Sequence, residues 1–425
     1  MNFLVLGGGG REHAIVHKLS QSSIVDNLHC CPGNPGIAKL AKCHRGNPSA
    51  PAEMLELCKN ENIEVVFVGP EAPLVAGTAD VLRENGILVM GPGKSGARLE
   101  GSKAFSKQFM KKHNIPTSAF DCCTDMSQCE EALSRRKAPY VVKADGLAAG
   151  KGAFLLDTYE EALDTCRMML ADNALGEAGS VVVIEDFVPG IEVTVLALTD
   201  GHVTRILPSS QDHKRVFDGD KGNNTGGMGA YSPVPWVDEA FMKKVTDEIL
   251  DPTVKGLKED GIPFCGVIYA GIMVKEDGSF SVLEYNVRLG DPETQVVLPV
   301  YNGDFGEVVL ACAKGELETI KWPTPVKTAL GVVVASGGYP EKFEKGFEIT
   351  GLDDEVENTF IYHAGTKLDE NGKVVTNGGR VLTVVAMADS LAEAKKRAYE
   401  RVKMIRFKDM HYRNDIGDKS LKEND

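Results

Sequence analysis

The chain has 425 residues, of which 43% are hydrophobic and 25% are charged, and its formal net charge is -14. This composition is typical of globular proteins and excludes collagen, coiled coil and disorder as descriptions of the whole chain. The negative charge argues against sequence-independent binding to nucleic acid or to an anionic membrane. At about 150 residues per domain, the length predicts about three domains.

The compartment is predicted from the N-terminus and the cysteines. The first residues, Met1-Asn2-Phe3-Leu4-Val5-Leu6, lack the basic segment of a signal peptide. No apolar run in the sequence approaches the roughly 18 residues of a membrane span. The 10 cysteines include no CxxC pair and form no zinc-ligand spacing. We therefore expect reduced thiols and a soluble, cytoplasmic protein.

Short apolar strands alternate with amphipathic helices over the first hundred residues. The sequence predicts strands at 3–6, 28–31, 65–69 and 87–90, and helices at 14–20, 52–60 and 74–85. Strands spaced by helices are typical of a doubly wound parallel sheet, whose strand ends face a ligand crevice.

The rest of the chain mixes long helices with antiparallel strand pairs. One helix over 94–113 carries Lys103 and Lys107 on one face, four residues apart. The other predicted helices lie at 159–170, 239–258 and 391–406, and the predicted strands lie at 140–143, 153–156, 181–185, 192–198, 203–208, 266–275, 279–287, 328–336, 360–366 and 379–387. Proline-rich residues 321–325 indicate a domain boundary before a β-rich module.

Two of the three glycine clusters resemble nucleotide-binding motifs but do not match them. After Gly7-Gly8-Gly9-Gly10, the third glycine of a dinucleotide fingerprint would fall at Glu12. The helix start at Gly9, Gly10 and Arg11 still suits a single phosphate, the alternative being a tight turn without a ligand. Gly93-Lys94-Ser95 lacks the earlier glycine of a Walker A loop, because that position is Leu88.

The third cluster follows a strand that ends in a lysine. It reads Lys143-Ala144-Asp145-Gly146-Leu147-Ala148-Ala149-Gly150-Lys151-Gly152 and leads into another strand. Two strands joined by such a loop would let backbone amides fold over a triphosphate towards which Lys143 points. The alternative is a flexible surface hairpin.

The most informative stretch is the strand that ends Glu284-Tyr285-Asn286-Val287-Arg288. With a period of two, Glu284, Asn286 and Arg288 project from one face. A carboxylate, an amide oxygen and a guanidinium suit Mg²⁺ that bridges phosphates, with the arginine matching phosphoryl oxygens. The alternative is a solvated outer face.

Two further polar segments have the composition of an active-site wall. Ser210-Gln211-Asp212-His213-Lys214-Arg215 packs donors, acceptors and two cations into six residues. The segment 224–231 carries three glycines, which allow close approach of the backbone to a small ligand.

Together these motifs resemble the glycinamide ribonucleotide synthetase family, ATP-grasp ligases of purine biosynthesis. The resemblance covers essentially the whole chain. It is carried by Gly-Gly-Arg-Glu-His at 9–13, Pro-Gly-Asn at 32–34, Val-Gly-Pro-Glu-Ala-Pro-Leu-Val at 68–75, Leu-Glu-Gly-Ser-Lys-Ala-Phe at 99–105, the loop at 143–152, the segments at 210–215 and 224–233, Arg-Leu-Gly-Asp-Pro-Glu-Thr-Gln at 288–295, His-Ala-Gly-Thr-Lys at 363–367 and Asn-Gly-Gly-Arg-Val at 377–381.

The resemblance implies three parts of an α/β fold: a doubly wound N-terminal sheet at 1–102, an ATP-grasp domain at 103–325 with a lid at 119–190, and a small β-rich domain at 326–425. It also implies the ATP site. Lys103 and Lys143 should contact the phosphates, Glu192 should bind the ribose, and Glu185 to Val188 should hold adenine through backbone groups. The remaining ATP-site residues implied are Gly146, Lys151, Gly152 and Phe187.

The same resemblance assigns Mg²⁺, or Mn²⁺, to Glu284 and Asn286. A further acidic ligand on the preceding strand is absent, because that strand reads Ala270-Gly271-Ile272-Met273. The implied reaction joins glycine to 5-phosphoribosylamine through glycyl phosphate, with ATP converted to ADP and phosphate. Such chemistry needs alignment and charge neutralisation rather than a nucleophilic side chain.

The implied substrate groups fall into three sets. Arg288 and Lys103 should stabilise phosphoryl transfer. Asp212 and Lys214 are the other catalytic candidates and should place glycine or the amine. The expected substrate contacts are Gly9, Gly10, Arg11, Asn34, Glu71, Thr225, Gly227, Met228, Gly229 and Asp291. Arg380 is either an anion site or a structural ion pair, and His13 and His213 either carry protons or only hydrogen-bond.

Three alternatives stay open on the sequence. Another ATP-grasp ligase or a carboxylase using bicarbonate would share Lys143, Glu284 and Asn286. A regulator without chemistry should have lost Glu284, Asn286 or Arg288, and all three are present. A larger multifunctional protein is not expected, because the chain ends soon after the β-rich module. The expected partners are small molecules only, with no nucleic acid or membrane. The expected state is a monomer, with a weak dimer as the alternative.

Overall fold

The computed structural model describes residues 1–148, 152–172 and 174–422. Within these residues the strands form four sheets of four or more strands and two separate two-stranded hairpins. The mixed α/β architecture predicted from the sequence is confirmed.

The N-terminal sheet consists of five parallel strands, and its strand Asn2–Gly7 lies in the middle. Its spatial order is Lys42–Cys43, Asn27–Pro32, Asn2–Gly7, Val65–Val68 and Leu88–Met90. Its helices are Gly10–Leu19, Pro51–Asn60, Glu71–Ala76, Thr78–Glu84 and Lys94–Gly101, with a 3-10 turn at Ile37–Lys39. Because the chain winds outward in both directions from the middle strand, this is the predicted doubly wound sheet.

A small antiparallel sheet lies within the range predicted for the lid. Its order is Phe120–Cys123, Val182–Glu185, Tyr140–Ala144 and Ala153–Leu156. The helices Met126–Ser134 and Tyr159–Leu170 and the 3-10 turn Gly176–Gly179 belong to it. This unit has a hydrophobic cluster of its own around Val142, Cys166 and Ile184.

The central sheet is antiparallel and carries the strand on which the metal site is predicted. Its order is Thr204–Ile206, Ile191–Thr199, Gly266–Val274 and Phe280–Asn286. The helices around it are Lys103–Lys112, Glu239–Val245, Asp251–Glu259, Thr294–Val300 and Phe305–Lys314, with a π-helical segment at Thr246–Leu250 and a 3-10 turn at Leu317–Thr319.

The C-terminal sheet crosses the boundary predicted at 321–325, because two of its strands come from earlier in the chain. Its order is Gln211–Asp212, Gly229–Ser232, Thr328–Ser336, Arg380–Ala388 and Thr359–His363, with Met410–His411 paired to Thr328–Ser336. The hairpins are Arg215–Phe217 with Lys221–Asn224 and Thr366–Leu368 with Val374–Thr376, and the helices are Leu391–Val402 and Asp418–Lys422. The segment bearing Asp212 is thereby tied to the C-terminal module.

Two predicted helices are interrupted. The helix expected over 94–113 breaks at Ser102, whose hydroxyl accepts a hydrogen bond from the amide of Phe105 and so caps the second half. The helix expected over 74–85 breaks at Gly77, whose φ is +83°. A left-handed conformation at glycine ends one helix and lets the next begin at Thr78.

The three parts share hydrophobic cores. One large cluster joins Leu4 of the N-terminal sheet, Ile268 of the central sheet and Val332 of the C-terminal sheet. No single helix in the described ranges is long and apolar enough to cross a membrane. One bent pair, Thr294–Val300 and Phe305–Lys314 at 106°, passes by length and composition, and most of its residues are buried in the core.

Candidate active site

A cavity of about 430 Å³ opens where the N-terminal, central and C-terminal parts and the lid meet. Its lining is mostly polar. It includes Arg11, Glu71, Glu100, Lys103, Lys107, Leu147, Ala148, Gly152, Glu185, Asp212, Lys214, Thr225, Gly226, Tyr269, Leu283, Glu284, Asn286, Arg288, Asp291, Glu293, Tyr339 and Arg380. Residues predicted from widely separated motifs are thus brought to one place.

The predicted metal strand faces this cavity. Glu284, Asn286 and Arg288 all line it, as the period of two requires. A bulge shifts the strand register, since Gly271 is opposite Glu284 while Ile272 is opposite Val282. The residue left over is Leu283, and both Leu283 and Tyr285 line the cavity as well, so the period of two does not fully separate the two faces here.

Glu284 is an ionised carboxylate in the cavity wall. Burial would raise its pKa, but the positive charges of Lys214, Lys143 and Lys103 outweigh burial and lower the pKa below the usual value. Among the described residues, no hydrogen bond or ion pair engages this carboxylate. The Asn286 side-chain oxygen accepts a hydrogen bond from Arg288 at 3.1 Å. Two neighbouring oxygen donors of this kind are the ligands that Mg²⁺ and Mn²⁺ take in proteins.

Arg288 is held by two carboxylates from the N-terminal part. Its Nη2 lies 3.0 Å from Glu100 Oε1, and its Nε lies 3.6 Å from Glu71 Oε2. Glu100 also accepts a hydrogen bond from the amide of Val287 at 2.8 Å. Burial acts to lower the pKa of Arg288, but the charges of the two carboxylates outweigh burial and raise the pKa above its usual value. The guanidinium is therefore fixed and charged at the cavity wall.

Glu185 bridges two buried lysines. Its Oε2 lies 2.7 Å from Lys107 Nζ, and its Oε1 lies 2.8 Å from Lys143 Nζ. Burial would raise the pKa of Glu185, but the charges of Lys143 and Lys107 lower it to about 2. Burial lowers the pKa of Lys107 to about 8. The Glu185 side chain therefore holds a pair of cations beside the cavity, in addition to any backbone role.

The glycine-rich loop is anchored to the start of the helix that bears Lys103. Asp145 accepts hydrogen bonds from the Ser102 hydroxyl at 2.9 Å and the Ala104 amide at 2.7 Å. The Lys103 ammonium lies 3.5 Å from the carbonyl oxygen of Gly146. Gly152 lines the cavity, and Lys151 lies outside the described residues. The loop and Lys103 are thus one unit.

Most of the residues predicted to hold adenine and ribose are not part of the lining. Of the described residues at 185–192, the cavity lining includes Glu185 but not Phe187, Val188 or Glu192. Phe187 is 42% exposed. Glu192 forms an ion pair with Lys214, which does line the cavity. A nucleotide role for Phe187, Val188 and Glu192 stays a prediction.

Asp212 and Lys214 lie together in the cavity wall. Burial, reinforced by the charges of Glu293 and Glu192, raises the pKa of Asp212 to about 8 although Lys214 opposes it. Burial acts in the other direction on Lys214, but Glu192 and Asp212 keep its pKa well above the usual value. An acid with a pKa near neutrality beside a fixed cation is suited to proton transfer.

The two histidines considered as proton carriers are outside the lining among the described residues. His213 is 4% exposed, and its Nε2 accepts a hydrogen bond from the amide of Gly417. His13 Nδ1 accepts one from the amide of His363. Burial lowers the pKa of His13 to about 3 and that of His213 to about 4. Both therefore have hydrogen-bonding roles between segments.

The N-terminal substrate candidates divide into cavity and framework residues. Arg11 and Glu71 line the cavity, and Arg11 is oriented by Glu12 and by the carbonyl of Leu289 at 3.0 Å. The Gly9 amide donates to Glu12 at 2.7 Å. A Cβ on Gly10 would lie 2.7 Å from Nε2 of the Gln295 side chain, so this side chain packs closely against the helix start.

The amide group of the Asn34 side chain makes all of its hydrogen bonds within the protein. It donates to the carbonyls of Gly8 and His363, and it accepts from the amides of Gly36 and Ile37. It joins the N-terminal turn to the C-terminal module, and a substrate contact by Asn34 stays a prediction.

The segment at 225–229 contributes only its first part to the lining. Thr225 and Gly226 line the cavity, whereas Met228 is fully buried. Gly227 and Gly229 both have positive φ, and a Cβ on Gly229 would lie 2.7 Å from the carbonyl oxygen of Gly331. Among the described residues, Gly227, Met228 and Gly229 are thus not part of the cavity lining. Their contacts with substrate stay predictions.

Asp291 lies where the three parts of the chain meet. It accepts hydrogen bonds from Gln295 at 2.6 Å and from Arg380 at 3.1 Å. Burial would raise its pKa, but Arg380 and Arg11 outweigh burial and lower it. Asp291 is therefore an ionised carboxylate in the cavity wall.

The polar lining residues that were not predicted as site residues include Glu100, Lys107, Tyr269 and Glu293. Tyr269 donates to Glu293 at 2.9 Å, and the Glu293 side chain is buried. Glu100 and Glu293 do fall within quoted family motifs, at 99–105 and 288–295, so the motifs carried a signal. Tyr269 stands in an apolar strand pattern that gives no such signal.

Comparisons with known proteins agree on one family. Three successive models match the chain: the N domain, the ATP-grasp (A) domain and the C domain of phosphoribosylglycinamide synthetase, over residues 1–100, 101–294 and 329–419. The chain is 44% identical to phosphoribosylamine–glycine ligase of Neisseria meningitidis serogroup A, over 99% of this chain and 100% of that protein. It is 45% identical to a bifunctional purine biosynthetic protein of Pichia angusta, over 100% of this chain but only 54% of that protein, so it spans about half of that relative. A crystal structure of phosphoribosylamine–glycine ligase from Thermotoga maritima is 36% identical and has a TM-score of 0.87, with 98% of this chain and 100% of that one covered.

Proposed function

Because the chain belongs to the phosphoribosylglycinamide synthetase family, we propose that it ligates glycine to 5-phosphoribosylamine with consumption of ATP. The products are glycinamide ribonucleotide, ADP and phosphate, and the step belongs to purine biosynthesis. The observation that carries the proposal is the end-to-end match to a ligase of this name at 44% identity. The polar cavity, lined by all three parts of the chain, supports it.

We propose that ATP and Mg²⁺, or Mn²⁺, bind on the face of Glu284 and Asn286. The donor set fits, because both residues offer oxygen and the Glu284 carboxylate has no hydrogen bond or ion pair within the described ranges. When bound, the metal neutralises charge on the transferring phosphoryl group. Lys103, Lys143 and Arg288 supply the remaining positive charge around the phosphates.

In the proposed first step, the carboxylate oxygen of glycine attacks the γ-phosphorus and ADP leaves. The chain supplies alignment and positive charge rather than a nucleophile. Arg288, braced by Glu100 and Glu71, is held rigidly enough to stabilise charge that develops in the transition state. The glycine-rich loop, anchored at Asp145 beside Lys103, covers the phosphates.

In the proposed second step, the amine nitrogen of phosphoribosylamine attacks the carbonyl carbon of glycyl phosphate. A carbon–nitrogen bond forms, the bond to phosphate breaks, and the nitrogen loses a proton. We propose that Asp212 accepts this proton, since its pKa of about 8 lets the carboxylate take and release a proton near neutral pH. The neighbouring Lys214 orients the groups around it. Arg11, Glu71 and Asp291 are proposed to hold phosphoribosylamine.

We also propose that the protein works as a monomer in the cytoplasm without nucleic-acid or membrane partners. The net charge of -14 disfavours binding to anionic polymers, and all ten cysteines are free thiols. Sedimentation at micromolar concentration tests the monomer, because a dimer would double the mass.

The function is tested by ADP release with ATP and Mg²⁺, using freshly prepared phosphoribosylamine with and without glycine. We expect ADP formation to require both substrates. Glycine-independent release that responds to bicarbonate would retain the ATP-grasp chemistry and reject the ligase. The absence of any turnover with an intact fold would favour a regulator.

A further inference from the structure

Arg380 brings a cation of the C-terminal module into the cavity. It begins the strand Arg380–Ala388, and its side chain is 21% exposed. The strand is fixed from both sides, by Thr328–Ser336 and by Thr359–His363. A guanidinium on the first residue of a central strand has a well-defined position.

The guanidinium ties together two segments of the ATP-grasp part. Its Nη1 donates to the carbonyl oxygens of Gly226 at 2.6 Å and Asp291 at 2.7 Å. Its Nη2 donates to Asp291 Oδ2 at 3.1 Å. One side chain thus fixes a loop carbonyl together with the carbonyl and carboxylate of Asp291, and a planar fork can do this where a single ammonium cannot.

The loop is shaped to receive Arg380. A Cβ on Gly226 would lie 2.9 Å from the Arg380 guanidinium carbon, so a side chain at this position would displace the guanidinium. The Gly226 amide donates a hydrogen bond to the Tyr339 hydroxyl at 3.1 Å, and this is a second contact between the loop and the C-terminal module. Both Arg380 and Tyr339 line the cavity.

The same loop is coupled to the catalytic pair. The Thr225 amide and hydroxyl both donate to the carbonyl oxygen of Lys214, at 2.7 and 2.8 Å. Gly226 follows directly, so a shift of this loop is transmitted to the backbone of Lys214 and to the neighbouring Asp212. Lys103 and Glu284, which are proposed to face the phosphates, stand on other elements, and among the described residues neither forms a hydrogen bond or ion pair with Arg380.

We infer that Arg380 is a positioning residue: it sets the 225–227 loop and Asp291 in place for the amine-handling half of the ligation. The inference rests on the proposed function and deepens it. It assigns to the C-terminal module a specific part in the reaction, because that module holds the Lys214 segment through Gly226. Arg380 acts through these groups and needs no contact with substrate.

The test compares Arg380→Gln with Arg397→Gln, a matched control in the same module whose partner is Glu393 on the same helix. Displacement of reacting groups by about 1 Å costs on the order of 10²-fold, so we expect kcat/KM for phosphoribosylamine to fall by about that factor in Arg380→Gln. The KM for ATP should stay within about twofold of wild type, and Arg397→Gln should leave all constants unchanged. A KM for ATP raised by a factor similar to the loss in kcat/KM for phosphoribosylamine, or no loss for phosphoribosylamine, would overturn the inference.

Gly226→Ala provides a second variant that keeps the arginine. Its Cβ would displace the guanidinium, so the same split between the two substrates is expected. The double variant Arg380→Gln with Asp291→Asn should lose less than the sum of the two single losses, because part of the effect of Arg380 passes through Asp291. Additive losses would contradict this. Wild-type turnover, measured first, separates failure of the inference from failure of the proposed function.

Discussion

Replacing Glu185 by glutamine should destabilise the protein, because it leaves two buried lysines without their shared partner. The Glu185 side chain is 3% exposed, and its two oxygens lie 2.7 and 2.8 Å from Lys107 and Lys143. Glutamine keeps the size of the side chain and removes only its charge. The variant therefore tests the ion pairs with little change of packing.

The expected loss follows from the pKa of Glu185, which falls from its usual 4.5 to about 2. At about 1.4 kcal/mol for each tenfold change in proton affinity, this corresponds to about 3 kcal/mol. Breaking a buried pair by removing one partner costs a similar amount, about 3–5 kcal/mol. Because the folded pKa is depressed, this stabilisation is present above pH 4.5 and is lost as the pH falls towards 2.

Urea unfolding followed by circular dichroism measures the loss, with Glu131→Gln as control. Glu131 pairs with Arg135 on an exposed helix surface, and its side chain is 70% exposed. Its replacement should cost at most about 1 kcal/mol. The difference in the free energy of unfolding between wild type and Glu185→Gln should become smaller as the pH drops below 4.5. A loss for Glu185→Gln no larger than that of the control would refute the reasoning.

Three further predictions concern the reaction. Glu284→Gln should lower turnover on the order of 10²–10³-fold or more. Its melting temperature should stay near that of wild type, because the carboxylate has no hydrogen-bonded partner in the described chain. A large fall in melting temperature would point to a structural role instead. The kcat/KM for phosphoribosylamine should rise with pH through about 8, because Asp212 must be ionised to accept a proton. The Asp212→Asn variant should lose this pH dependence. If the rise with pH persists in the variant, another group is responsible for it. Chelation of divalent metal should stop ADP formation without changing the circular dichroism, and Mg²⁺ or Mn²⁺ should restore it; ADP formation in excess chelator would contradict a metal role.

Much of the site was predictable because its residues stand in local patterns. The strand period alone places Glu284, Asn286 and Arg288 on one face, and they do face the cavity. The glycine-rich loop is read from composition. The N-terminal sheet follows from strands spaced by helices, and the structure confirms it.

The rest depends on contacts between distant segments, which a single sequence does not display. Glu100 becomes a site residue only because Arg288 reaches it across 188 positions of chain, and Glu185 only because two lysines converge on it. The helix break at Ser102 involves a hydrogen bond from its hydroxyl to the distant Asp145, which the local sequence does not indicate. The C-terminal sheet continues into residues 211–232, so no local signal at 321–325 could separate the two parts completely.

The central claim is that glycine is activated by phosphorylation of its carboxylate. Glycine labelled with ¹⁸O in both carboxylate oxygens, incubated with enzyme, ATP, Mg²⁺ and phosphoribosylamine, tests it directly. If glycyl phosphate forms, one labelled oxygen leaves with the phosphate and the other stays in the amide of the product. The account predicts one ¹⁸O in each molecule of inorganic phosphate by mass spectrometry. Phosphate without label would contradict it.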